Sequence, residues 1–378
     1  MERGNRMQRR LDSWVGIPLV AVAGCANAVR RFVAPVRGAP EQARRIGVIC
    51  LGAVGDLLLA TSLLNGLRRT LPEASIEIIT SRANAAARGL LPPEYMAVSF
   101  GVKDVPGMIR HTRSAKYDIL FDTGQWPRIS ALVAAASGAG RTVGFATPGQ
   151  YRHYAYDVAV PHRNDRHETD NFLALGRALF PELTGKPSVV IPKAPSSASP
   201  VLPETALVFC HMWPSGVRSH LKEWPRDHWA GLAQTLSAAG YAPVFTGGPQ
   251  DAAATERFLE EYGLACGKGG GRAFSVAGRL SFPDLAFYLG KAAAAVSVNT
   301  GTMHLAALCG APTIGLHGPT NPLRWGPVGE KTVSLLPETG RSAYLNLGFE
   351  YPPDDDAVLR HLPVATVLDA LRSFGLRV

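Results

Sequence analysis

The sequence predicts an α/β chain of two Rossmann-like parallel-sheet domains facing a cleft. Three observations carry that expectation. Short apolar runs alternate with helix-period segments from residue 46 to about 180, and again from 206 onward. Between the two series, residues 185–205 are rich in Pro and Ser and have no periodicity, which is the composition of a linker. Several of the apolar runs also empty into a glycine turn followed at once by a helix. In an open parallel sheet, that edge is where ligands bind.

Composition sets the outer bounds. A chain of 378 residues has the length of two domains, and 46% apolar content is ample for two cores. The net charge of +9 is unevenly placed. Residues 1–44 form a basic and apolar arm. With Arg45 included, nine arginines face only Glu2, Asp12 and Glu41, giving +6 and leaving +3 for the other 333 residues. Such an arm points to nucleic acid or to an anionic membrane surface. The cysteines at 25, 50, 210, 266 and 309 are far apart, with no CxxC and no histidine at ligand spacing. That argues against zinc and for a reducing compartment.

Met1 to Arg10 reads as polar and poorly ordered. Ser13 to Val29 is 17 residues without a charge, interrupted by Pro18 and Asn27. Three readings stay open for it. It can lie in the interface of an anionic bilayer, flanked by Trp14, Arg30 and Arg31. It can be a core-packed helix. It can be a cleaved signal, with Arg9 and Arg10 ahead of it and Ala26-Asn27-Ala28 as the cleavage site.

The first domain is expected over 45–184. Arg45 to Cys50 has the composition of a buried parallel strand, and Leu57 to Leu71 has helical apolar spacing. Between them stand Gly52, Gly55 and Asp56. The glycines permit close backbone approach, but they form neither GxGxxG nor a P-loop. Asp56 reads either as a helix N-cap or as a general base in a binding edge. Further strands are expected at 75–80, 117–122 and 141–145, with a helix at about 127–137. Arg152 to His167, rich in Arg and His, reads as a solvated loop or as a collar for an anionic substrate.

The second domain is expected over 206–350. Its strands fall at 206–211, 242–247, 274–277, 294–298 and 312–317, and its helices at 225–239, 251–262, 281–292 and 302–309. A last amphipathic helix at 363–374 lies in a C-terminal segment, 351–378, that packs back. Asn299, Thr300, Gly301 and Thr302 form a strand end and a helix start, where free amides and the helix dipole suit a diphosphate. His304 alone reads as a hydrogen-bonded, partly buried histidine. Lys222 precedes a helix, where a cation is electrostatically unexpected unless it shares an anion with the amides. The other reading is a surface lysine. Gly247-Gly248 and Gly318 mark two more turns at the same edge. Asp354-Asp355-Asp356 reads as surface in a late loop.

Taken together, these pieces resemble the heptosyltransferases of glycosyltransferase family 9. The resemblance covers about residues 45–375. It is carried by Leu-Gly-Ala-Val-Gly-Asp-Leu-Leu-Leu-Ala (51–60), Lys-Glu-Trp-Pro (222–225), Thr-Gly-Gly (246–248), Asn-Thr-Gly-Thr-Met-His-Leu-Ala-Ala (299–307) and Leu-His-Gly-Pro-Thr (316–320). It implies a GT-B architecture and an inverting transfer of a heptose-like sugar from a nucleotide-diphosphate donor, with no metal and no cofactor. By the same resemblance Asp56 is the base, Lys222 contacts donor phosphate, Asn299 to Thr302 hold diphosphate and sugar, and His304 at the same helix start is among the donor-binding residues. Asp251 is the candidate for the ribose. The acceptor implied is a lipid-linked glycan of lipopolysaccharide type, reached from the cytoplasm at the inner membrane face through the N-terminal arm. One departure is visible: many members carry Asp-Thr-Gly where this chain has Asn299-Thr300-Gly301, which keeps hydrogen bonding and removes charge. Two rivals remain: a nucleotide- or nucleic-acid-binding protein, and a sugar-nucleotide epimerase or hydrolase on the same fold. Against nucleic acid, the basic residues are not interleaved with stacking aromatics.

Overall fold

The structure is a computed structural model that describes residues 10, 12–33, 40–216, 218–266, 272–347, 350–352 and 356–378. The expectations placed on Met1 to Arg9, on Arg37 and on Asp354-Asp355 lie outside those residues. The chain divides into two compact units, Met1–Ser188 and Val189–Val378. Lys186 and Ser188 are held to unit 1 through Asn65 and Thr61. Ser196 is held to unit 2, where Asp284 accepts from its amide at 2.6 Å and its hydroxyl at 2.9 Å.

Unit 1 opens with helix α1 (Gly16–Val33). A six-stranded sheet follows: β1 (Arg45–Cys50), β2 (Ser75–Ser81), β3 (Met96–Phe100), β4 (Ile119–Asp122), β5 (Arg141–Ala146) and β6 (Val158–Pro161). All pairings are parallel, in the order β3-β2-β1-β4-β5-β6. Helices α2 (Val54–Thr70), α3 (Val105–Ala115) and α4 (Arg128–Ala136) lie in crossovers between strands, and α5 (Glu168–Arg177) follows β6. The central strands form because they are continuous apolar runs: Ile46 to Cys50 and Ile119 to Asp122 are buried without a break. α2 buries Leu57, Leu58, Leu59, Leu63, Leu64 and Leu67 completely, each worth about 1.5–3 kcal/mol of transfer free energy.

Unit 2 repeats the plan. Its sheet holds β7 (Leu207–His211), β8 (Ala242–Thr246), β9 (Phe274–Ser275), β10 (Ala294–Val298), β11 (Thr313–Leu316) and β12 (Thr332–Leu335). All pairings are again parallel, in the order β12-β11-β10-β7-β8-β9. Helices α6 (Arg226–Ala238), α7 (Ala252–Glu261), α8 (Phe282–Leu289), α9 (Gly301–Leu308), α10 (Pro322–Trp325) and α11 (Val364–Ser373) surround it. An edge-to-face aromatic chain, Trp224–Trp229–Phe245–Phe258, runs through the core at centroid spacings of 5.0, 6.4 and 5.2 Å. The C-terminal α11 joins that core through Val367 and Leu371.

In each sheet the chain first builds outward on one side, then returns to the centre and builds outward on the other. The reversal falls between β1 and β4 in unit 1 and between β7 and β10 in unit 2. These are the switch points at which open α/β sheets bind ligands.

The segment 152–167 is a solvated loop only in part, at Arg163 to Asp165. Arg152 and His162 are buried, and Val158 to Pro161 is a strand. Arg152 pairs with Asp122 at 2.6 Å, and neither side chain has any exposure. Tyr156 donates to the same Asp122 oxygen at 2.6 Å and accepts from Arg152 at 2.7 Å. Burial opposes the Arg152 charge, but Tyr156 and Asp122 beside it hold its pKa above the ordinary value. Burial, with Asp122 adjacent, pushes Tyr156 well above the usual phenol range. Asp122 Oδ1 then accepts from the Gly124 amide at 2.8 Å and so fixes the loop leaving β4. Asp122→Asn leaves a buried guanidinium without its counter-charge. It is expected to destabilise unit 1 by about 3–5 kcal/mol, measured as a fall in the urea midpoint.

Candidate functional site

At the unit 1 switch point the loop after β1 carries Asp56. It is not the N-cap. Ala53 holds that position, and Asp56, third residue of α2, reaches back so that its Oδ2 accepts from the Ala53 amide at 2.6 Å. Oδ1 accepts from Gln125 Nε2 at 3.3 Å. Gln125 sits in the loop after β4, so the carboxylate is gripped from both strands flanking the reversal. The donors are N–H groups, and a carboxylate has about four lone-pair positions. A Cβ at Gly52 would enter the Asp56 carboxylate; glycine is required there for the grip to exist. Gly55 is buried in the first turn of the helix. Asn84 completes the edge: fully buried, it accepts from the Ser81 amide at 2.9 Å and donates to Cys50 O at 2.9 Å.

Unit 2 has the same local device after β8. Asp251 reaches back to accept from the Gly248 amide at 2.8 Å, and a Cβ on Gly247 would lie 2.8 Å from Asp251 Cβ. Burial raises the Asp251 pKa, while the Gly248 amide acts in the opposite direction. Here the side chain is engaged in holding its own loop.

The switch point of unit 2 brings together the loops after β7 and β10. Lys222 ends a short 3-10 turn, Ser219–Lys222, in the first loop. Trp224 anchors that loop: it is 2% exposed and donates to Leu362 O at 2.8 Å. Lys222 is half-buried and donates to Ser215 O at 3.3 Å. No carboxylate pairs with it among the described residues. Burial therefore lowers its pKa from the usual 10.5 to about 8. An anion beside it would restore the charge.

In the second loop Thr300 caps α9 without a side-chain hydrogen bond to the helix amides, and the first turn, Gly301 and Thr302 included, holds no acidic residue. The positive helix end is thus left to an external anion. Asn299 donates to Trp325 O at 2.9 Å, a bond that an aspartate could not make; the Asn at this position has a local reason. His304 is 3% exposed, on the fourth residue of the helix. Met303 faces Gly315 of β11, where a Cβ would lie 2.6 Å from its sulfur. Gly318 is required because a Cβ would lie 2.9 Å from Leu359, so packing by the C-terminal segment explains it.

A half-buried histidine, His211, and a fully buried one, His317, frame this edge. His211 meets Thr246 Oγ1 at 2.8 Å, and His317 meets Thr320 Oγ1 at 3.1 Å. Burial lowers their pKa values to about 4 and about 3, so both are neutral imidazoles at pH 7. The sequence assigns no role of its own to His317, which lies in Leu-His-Gly-Pro-Thr (316–320), and singles out neither His211 nor Gln125, Asn84 or Asp122. A strand-end His or Asp in an apolar run was the available signal. Among the described residues, no group of three His, Cys, Asp or Glu could hold a metal ion.

Two parallel Rossmann-like sheets, each with its prepared edge at the reversal, define the GT-B class of fold. Residues 107–346 match the family described as glycosyltransferase family 9 (heptosyltransferase), and the chain belongs to that family. It is 34% identical over 150 residues to lipopolysaccharide heptosyltransferase 1 of Pseudomonas aeruginosa; the match takes in 40% of this chain and only 39% of that relative's length. Its fold is similar to the E. coli ADP-heptose lps heptosyltransferase II, with a TM-score of 0.66 and 22% identity over 87% of this chain and 98% of that one. It is also similar to the E. coli heptosyltransferase WaaC solved with ADP, with a TM-score of 0.64 and 16% identity over 87% and 99%.

Gly52→Ala is expected to push the Asp56 carboxylate off the Ala53 amide. The melting temperature should fall by a few degrees, as for the loss of about 1 kcal/mol of capping, while activity falls much further.

Proposed function

We propose that the protein is an inverting glycosyltransferase that moves a heptose-like sugar from an ADP-linked donor to a lipopolysaccharide-type glycolipid, without a metal ion, on the cytoplasmic side of the inner membrane. The observation that carries this reading is the unit 2 switch point. A helix start with neither a side-chain cap nor an acidic residue lies at the same edge as a lysine whose charge awaits an anion. Family membership and the ADP bound by a protein of similar fold support a nucleoside diphosphate as that anion.

In this mechanism unit 2 holds the donor, with its diphosphate on the α9 amides and Lys222, and Asn299, Thr300 and Thr302 near the sugar. Unit 1 holds the acceptor. The acceptor hydroxyl oxygen attacks the anomeric carbon and forms the new C–O bond. The bond to the diphosphate breaks, and its electron pair leaves with the nucleotide. Asp56 receives the hydroxyl proton. Attack opposite to departure inverts the anomeric centre, through a transition state resembling an oxocarbenium ion. Charge growing on the leaving diphosphate is met by the Lys222 ammonium and by fixed amide dipoles, which do not have to reorganise.

Two measurements test the two halves separately. Calorimetry on ADP, UDP, GDP and CMP should show selective ADP binding that Lys222→Ala weakens. Free Lys222 loses its proton above about pH 8, and the bound diphosphate favours the protonated form. ADP affinity should therefore fall as pH rises past 8, by up to about tenfold per unit, with proton uptake on binding in that window. Lys222→Ala should flatten this slope; equal ADP affinity at pH 7 and 10 in the wild type would sink the phosphate role. Asp56→Asn should leave ADP binding intact and lower transfer by about 10²–10⁴-fold.

A further inference from the structure

Helix α1 has two faces that do not belong to the same kind of surface. The inner face is bolted to unit 1. Val20 is fully buried in the unit 1 core with Ala131, Ala155 and Tyr156. Gly24 lies so close under Tyr154 that a Cβ would be 2.8 Å from the tyrosine Cβ. Asn27 donates to Ala155 O at 2.9 Å, and Arg30 donates to Ala139 O at 2.8 Å and pairs with Asp157 at 3.2 Å. Ahead of the helix, Asp12 accepts from the Arg128 amide at 2.9 Å and pairs with its guanidinium. These bonds run the length of the helix and fix its rotation.

The outer face is apolar and open. Trp14 is 83% exposed, Leu19 47%, Val22 66%, Val29 63% and Phe32 91%. At 100° per residue, the exposed apolar side chains cover an arc of about 140° with no charge in it. Tyr151 and Tyr154, each nearly half exposed, extend the surface beside the helix. An apolar patch of this extent on a protein surface calls for a partner.

We propose that this face docks on an anionic lipid bilayer, with α1 lying in the headgroup plane and carrying unit 1 against the membrane. Charge selects the lipid over other occupants. Arg3, Arg6, Arg9 and Arg10 precede the helix, and Arg31 and Arg37 end or follow it. Basic ends on an apolar helix with edge aromatics match a surface of acyl chains under anionic headgroups. A second copy of the chain would bring two arms of +6 together. Nucleic acid would satisfy the arginines and leave the apolar arc in water.

The docking has a consequence for the sheet edge. The Arg128 amide that Asp12 anchors is three residues past Gln125, which grips Asp56. The bilayer-facing helix is thus tied to the edge that bears the Asp56 carboxylate. The inference stands on α1 alone and does not depend on the transferase reading.

The test is flotation of the full chain with vesicles of phosphatidylethanolamine and phosphatidylglycerol, against phosphatidylcholine alone. Wild type should float with the anionic vesicles, and raised salt should weaken but not abolish binding. Leu19→Glu/Val22→Glu/Phe32→Glu should cut the bound fraction at least tenfold, with melting temperature and ADP binding unchanged. The milder Val29→Ser/Phe32→Ser should give an intermediate loss. Four outcomes overturn the proposal: no binding of wild type to anionic vesicles; equal binding by the folded triple variant; resistance of the native membrane-bound protein to alkaline carbonate, which marks a spanning helix; or a lipid-free dimer in sedimentation that the triple variant dissociates, which marks a second copy as the occupant.

Discussion

The reversal of strand order at the centre of each parallel sheet is the constraint on which the rest depends. Parallel strands require crossovers, and crossovers that start at the sheet centre leave in opposite directions. The loops after β1 and β4, and after β7 and β10, are therefore the neighbouring pairs that no crossover covers. Asp56, Gln125, Lys222 and Asn299 all lie in or directly beside those four loops. Their chemistry differs, but their placement has a single cause.

A local device operates within that frame. After β1 and after β8 a glycine precedes a helix whose early Asp reaches back to the cap amide. At Asp251 the carboxylate serves its own turn. At Asp56 a second donor arrives from a strand far away in sequence, and the turn becomes a held carboxylate at a binding edge. Ala53 is the cap of this helix, and the bond by which Asp56 reaches back to it also orients the Asp56 carboxylate. Behind it, the buried Arg152–Asp122–Tyr156 cluster stiffens the loop that supplies Gln125. That cluster explains why arginine is tolerated in the interior: it is paired and hydrogen-bonded there.

The N-terminal arm shows how docking changes the meaning of an apolar segment. Ser13 to Val29 alone is compatible with an interfacial helix, a core-packed helix or a cleaved signal. Asn27 and Pro18 looked like interruptions of an apolar run. Asn27 is instead an attachment point on unit 1, and its position turns an undirected apolar helix into one with an inner and an outer face.

The sequence by itself determined the two-sheet α/β plan, the central strands and the glycine-bordered turns. Continuous apolar runs admit few structures other than a doubly covered strand. It did not reveal β3, β6 or β12. All three are edge strands, only partly buried, so the hydrophobic signal that marks a strand is faint in Met96–Phe100 and Thr332–Leu335. Nor could it reveal that Arg152 is interior, that Gln125 meets Asp56 across 69 positions, or that Lys222 sits where burial weakens its charge. Those facts depend on which loops the strand order makes neighbours and on how much water each pocket admits. Local composition carries neither, and only the assembled tertiary structure decides them.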